Sequence, residues 1–129
     1  MTATYHLVTS SNVIAVNYDP DWAMKASVMP LIEDIGHARE SLSAGKWAFY
    51  DDIRNWPIKS PAQIDACTQA THAMIDSGLT HCVVCGKDIG VSHWVMEKIF
   101  AEKVKLAFFT SPEECLGWLK SNGFNTQLN

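Results

Sequence analysis

The sequence predicts one small α/β domain, built on a mixed, mostly parallel sheet of about five strands with about four helices. Three observations predict it. Short runs rich in β-branched and aromatic residues alternate with longer segments whose apolar residues recur at helical spacing. Asp19-Pro20, Ser60-Pro61 and Ser111-Pro112 each put a capping side chain before a proline, which tolerates the first helical position because its missing N–H would be unpaired there. The 129 residues, 47% hydrophobic and 19% charged, suit a single domain spanning 1–129 that can bury a core.

In chain order, "YHLVT" and "VIAVNY", joined by Ser10-Ser11-Asn12, read as an opening hairpin. A helix follows from about Asp21 to Leu42, with Val28, Leu31, Ile32, Ile35 and Leu42 as its apolar stripe. Pro30 lies inside it, so a kink or two shorter helices are expected. "WAFYDDI" is the next strand. The second helix starts at Ser60-Pro61, carries Ile64, Cys67, Thr71, Met74 and Ile75 on one stripe, and ends at Ser77-Gly78. "HCVVCG" is a strand, Val91, Trp94, Val95 and Ile99 mark a third helix, and "VKLAFF" is the last strand. Cys115, Leu116 and Leu119 mark a fourth helix that stops near Gly123. Ser60-Pro61-Ala62-Gln63 and Ser111-Pro112-Glu113-Glu114 both fit the capping box, in which the third helical residue reaches back to the cap. The order is β-β-α-β-α-β-α-β-α. Strands alternating with helices favour parallel pairing and right-handed crossovers, with the first strand antiparallel at an edge.

A net charge of −4 argues against a nucleic-acid binder, which usually shows a basic surplus. Lys98, Lys103 and Lys105 are interleaved with Glu97 and Glu102, the pattern of a solvated helix face. No apolar run approaches the roughly 18 residues of a membrane span, and "MTATYHLVTSSN" lacks the basic and apolar regions of a signal peptide. The expected location is the cytoplasm, where Cys67, Cys82, Cys85 and Cys115 would be thiols.

The stretch "GKWAFYDDIRNWPIKSPAQID" has a tryptophan before its strand, an acid at the strand's end, and a tryptophan and helix start just beyond. With "DSGLTHCVVCG" and "KLAFFTSPEECLGWL", it resembles the STAS domain, the fold of the anti-sigma-factor antagonists. It is more similar still to the bacterial SpoIIAA-like proteins, small stand-alone relatives. The resemblance spans nearly the whole chain and implies the same sheet and helix order. The antagonists are phosphorylated on a serine in an Asp-Ser-Ser-Gly turn. The corresponding segment here is Lys59-Ser60-Pro61-Ala62, in which only Ser60 matches. The family is also linked to the lipid-carrying CRAL-TRIO fold, although no long pocket-lining pattern is evident.

Several residues are candidate sites. Ser60 reads as a helix cap, or as a phosphoacceptor whose charge would meet the positive end of the helix. Asp51 and Asp52, adjacent in a strand, point to opposite faces and cannot act as one carboxylate pair. Asp52 suits the strand's C-terminal end, where open α/β sheets place ligands. Arg54 and Trp56 could share its face, or Asp52 and Arg54 simply pair while Trp56 covers the core. Lys87 and Asp88, after the next strand, are expected at the same edge, making one polar rim. Cys82 and Cys85 spell C-x-x-C, but a strand puts them on opposite faces, so neither a disulfide nor a metal site is expected. Cys115 falls near a helix start, where a thiolate is favoured, yet Leu116 and Leu119 place it toward the core. His72, His81 and His93 are the histidines that a metal could gather in space, although no ligand motif joins them. Trp94 and Met96 lie on different sides of the third helix and are candidates for a homodimer interface.

These readings lead to a non-enzymatic regulatory or scaffold module, without cofactor, metal, nucleic acid or membrane insertion. It would contact a protein partner through the rim of Asp52, Arg54, Trp56, Ser60, Lys87 and Asp88. The alternative is a small-molecule or lipid-binding domain with a cavity between helices and sheet. A hydrolase or redox enzyme ranks last.

Overall fold

The computed structural model describes residues 5–19, 24–42, 45–54, 69, 71–86 and 103–128, with residues 24–29 described in the backbone alone. Within them five strands pair in the order β1-β2-β3-β4-β5. These are β1 (Tyr5–Thr9), β2 (Val13–Tyr18), β3 (Trp47–Asp52), β4 (Leu79–Cys85) and β5 (Lys105–Phe109). The opening hairpin forms as read, with β1 antiparallel to β2 at the sheet edge and the remaining neighbours parallel. All six residues of β3 are buried, as a strand covered on both faces should be.

Three helices are described: α1 (Met24–Ser41), α2 (71–76) and α3 (Pro112–Ser121). Their order with the strands is β-β-α-β-α-β-β-α. The helix expected around Val91–Ile99 lies outside the described residues, as do Pro20 of the Asp19-Pro20 start and the Ser60-Pro61 start. α1 links β2 to β3 and α2 links β3 to β4, stepping the same way along the sheet. A common crossover hand therefore puts both on one face. Leu31 and Ile35 of α1, and Leu42 just after it, pack there on Ile14, Val16, Trp47, Phe49, Cys82 and Val84, with Met74 and Ile75 of α2 beside them. α3 lies on the opposite face, where Cys115 and Leu119 pack against Ala48, Tyr50, Val83 and Cys85.

α1 runs as one helix through Pro30, not as the two shorter helices considered. Proline cannot donate to the carbonyl four residues back. Pro30 is solvent-exposed, so water can satisfy the carbonyl left over. At the end of α2, Gly78 has φ +108°, and a Cβ there would come within 2.6 Å of the Gly45 carbonyl oxygen. Only glycine allows both that dihedral and that approach. Through this turn the Trp47 N–H reaches the Gly78 carbonyl at 3.1 Å, which seats the first residue of β3.

Candidate functional site

Two places bring together side chains with chemical potential. The first is the corner at the end of β3. Alternation sends Asp51 and Asp52 to opposite faces, as the sequence requires. On the α1 face, Asp51 is buried and accepts a hydrogen bond of 2.9 Å from the Tyr18 hydroxyl. On the α3 face, Asp52 accepts from Arg54 through Nε at 2.9 Å, Nη2 at 2.7 Å and the backbone N–H at 3.2 Å. This is a two-pronged guanidinium–carboxylate fork, a strong and directional pairing. The hydrogen bond it donates to Asp52 holds Arg54 well above the ordinary guanidinium range. Asp52 and Arg54 thus spend their charges on each other, and the corner borders a hollow of about 150 Å³ together with His6, Asn17, Tyr50 and Leu116.

Behind the fork, Tyr50, Cys85 and Cys115 pack together in the core beneath α3. Burial, and then Cys85, push the Cys115 thiol up to about 12. Cys85 is raised by burial and then by Asp52, and Tyr50 is raised mainly by burial. Cys115 sits in the first turn of α3, yet desolvation outweighs the helix N-terminus, and the thiol stays protonated at neutral pH. Cys82 lies on the other face of β4, in the core under α1, so the two cysteines of C-x-x-C are separated by the sheet. Trp56, Ser60, Lys87, Asp88, Trp94 and Met96 lie outside the described residues.

The histidines do not converge. His72 is exposed on α2, whereas His81 lies across the sheet against Trp118 and Phe124, and His93 is outside the described residues. Among the described residues, no group of three or more His, Cys, Asp or Glu side chains is placed to hold a metal ion. No described helix is long and apolar enough to cross a membrane.

The second place is a cavity of about 300 Å³ between α1, α2 and the start of β3. Its wall on α1 is the strip Ile32, Ile35, Gly36 and Arg39, spaced i, i+3, i+4, i+7 along one helix side. Ala73 and Met74 of α2 and Ser77 in the turn after it line the other side, and Trp47 contributes from β3. A glycine on one helix and an alanine on the other leave a gap where larger side chains would close it. At Gly36 an added Cβ would meet nothing within 4 Å. Trp47 is fully buried, and its indole Nε1 has no hydrogen-bond partner among the described residues. A buried donor without a partner costs about 1–3 kcal/mol, so such groups call for an explanation.

Sequence reasoning kept a cavity between helices and sheet as an alternative but missed Arg39 and the other residues that line this one. The available signal was a glycine within the apolar strip of the first helix, with an arginine one turn later. Arg39 reads naturally as a cation near a helix C-terminus, which conceals any other role. Comparison of the chain with models of known families, with curated proteins and with solved structures finds no match.

Proposed function

We propose that this protein is a non-enzymatic regulatory domain that binds a small apolar molecule between α1, α2 and β3. The observation that carries the reading is a largely apolar cavity that also has the Arg39 guanidinium in its lining, with no carboxylate paired to it among the described residues. Ligand pockets characteristically combine an apolar lining with a few polar groups that fix orientation. The mixed sheet with its antiparallel edge strand supports kinship with the STAS domain and the SpoIIAA-like proteins, argued from the stretch around Trp47 to Asp65. A protein partner at Ser60, Lys87 and Asp88, and a homodimer through Trp94 or Met96, concern residues beyond those described. At the described part of that rim, the mutual pairing of Asp52 with Arg54 favours an internal brace.

The test is a screen of small apolar compounds by ligand-observed NMR, repeated on Gly36→Leu. Leucine is a better helix former than glycine, so the helix is kept while the side chain enters the cavity. At least one compound is expected to bind the unaltered protein and to be lost in Gly36→Leu. If every hit binds Gly36→Leu equally well, or no compound binds, the cavity is not the site.

A further inference from the structure

We propose that this cavity takes the carboxylate of a small apolar acid, with Arg39 as its counter-ion. The inference rests on reading the cavity as the ligand site and goes on to name the chemistry of the ligand.

Arg39 is oriented by backbone carbonyls. Its Nε and Nη2 donate to the Ser77 oxygen at 2.9 and 2.7 Å, and Nη2 also approaches the Gly45 oxygen at 3.4 Å. These contacts set the plane of the guanidinium and leave Nη1 with no hydrogen bond among the described residues. Nor does a carboxylate neutralise it: the ion pairs among the described residues are His6–Asp19 and Arg54–Asp52. A guanidinium keeps its charge at any ordinary pH. Held beside Ile32, Ile35, Met74 and Trp47, it is a fixed cation on an apolar wall, with no anion paired to it among the described residues.

The ligand that complements this wall carries one planar anionic group and a hydrocarbon or aryl body. Nη1–H donates to a carboxylate oxygen in a charge-assisted bond, stronger than a neutral one. A phosphate is a poorer match, because its greater charge and additional acceptor oxygens would enter an apolar space with few donors. A volume of about 300 Å³ lies at the lower end for small-molecule pockets, which restricts the body to a short or medium chain or a single ring.

Octanoate and 3-phenylpropionate, each compared with its primary amide, are the probes. An amide keeps the shape but removes the charge that Arg39 would meet. The acid is expected to bind the unaltered protein about tenfold or more tightly than the amide, as a charge-assisted hydrogen bond implies. In Arg39→Gln that preference should vanish. Arg39 also ties α1 to the turn after α2, so Arg39→Gln loses stability as well. Lost stability alone would not erase a preference for acid over amide, and the comparison in the unaltered protein needs no variant to fold. Of the indole N–H signals of the five tryptophans, the one absent in Trp47→Phe should shift on adding octanoate. Equal affinity for acid and amide, with both lost in Gly36→Leu, overturns the carboxylate inference and leaves the cavity reading standing. Binding of neither probe, or binding that Gly36→Leu leaves unchanged, overturns both. An acid preference that survives Arg39→Gln places the anion elsewhere.

Discussion

His81 shows how one side chain ties the α3 face to pH. Its ring lies 5.6 Å from Trp118 and 4.9 Å from Phe124 between centroids, and its Nδ1 is 2.8 Å from the Thr80 hydroxyl. Burial, followed by the nearby charges of Lys105 and Lys46, lowers its pKa below 6.5. The folded protein therefore takes up this proton less readily than the unfolded chain. Such a group contributes its stability in full above the unfolded value of 6.5, and loses it as pH falls from there through the lower folded value. The urea midpoint is expected to fall between about pH 7.5 and about pH 5.5, the interval over which a histidine of ordinary pKa titrates. In His81→Gln the fall should be smaller. An equal fall in that variant would assign the pH dependence to other groups.

At the scale of elements, α3 shows what short-range sequence can specify. Ser111 is its N-cap: its Oγ accepts from the Glu114 N–H at 3.3 Å and donates to the Glu114 carboxylate at 3.0 Å. The capping box forms, but Glu114 meets the serine hydroxyl in place of the backbone N–H. At the other end the Phe124 N–H reaches the Leu119 carbonyl and the Gly123 N–H that of Lys120, around a Gly123 at φ +87°. Leu119 and Phe124 then pack in the same core, completing a Schellman end. Ser111→Ala is expected to cost about 0.5–2 kcal/mol, read as a lower urea midpoint at unchanged slope. An unchanged midpoint would show that the cap adds nothing to stability. Both ends of α3 were legible because each involves residues only a few positions apart. The lining of the cavity was not, since Arg39, Trp47 and Met74 meet only after α1, β3 and α2 have packed. Pro30 was half legible: the missing N–H follows from the sequence, whereas an exposed position that tolerates the loss follows from packing.

At the scale of the whole molecule, one sheet serves two cores. Trp47, Phe49, Cys82 and Val84 face α1, while Ala48, Tyr50, Val83 and Cys85 face α3, all on the same two central strands. Neither core can dissolve without taking strands from the other, so the described part of the chain should unfold as one cooperative unit, the usual behaviour at this size. The buried cysteines make this measurable, because Cys82 reports on the α1 face, and Cys85 and Cys115 on the α3 face. In a Cys67→Ser background, which removes the one cysteine outside the described residues, none of the three should react with a thiol reagent in the absence of urea. As urea is raised, mass spectrometry of the labelled peptides should give the same midpoint for all three. Local opening that lifted α3 off the sheet would expose Cys115 and Cys85 first. Their labelling at lower urea than Cys82 would show that the α3 face opens independently, and the single-unit picture would fail.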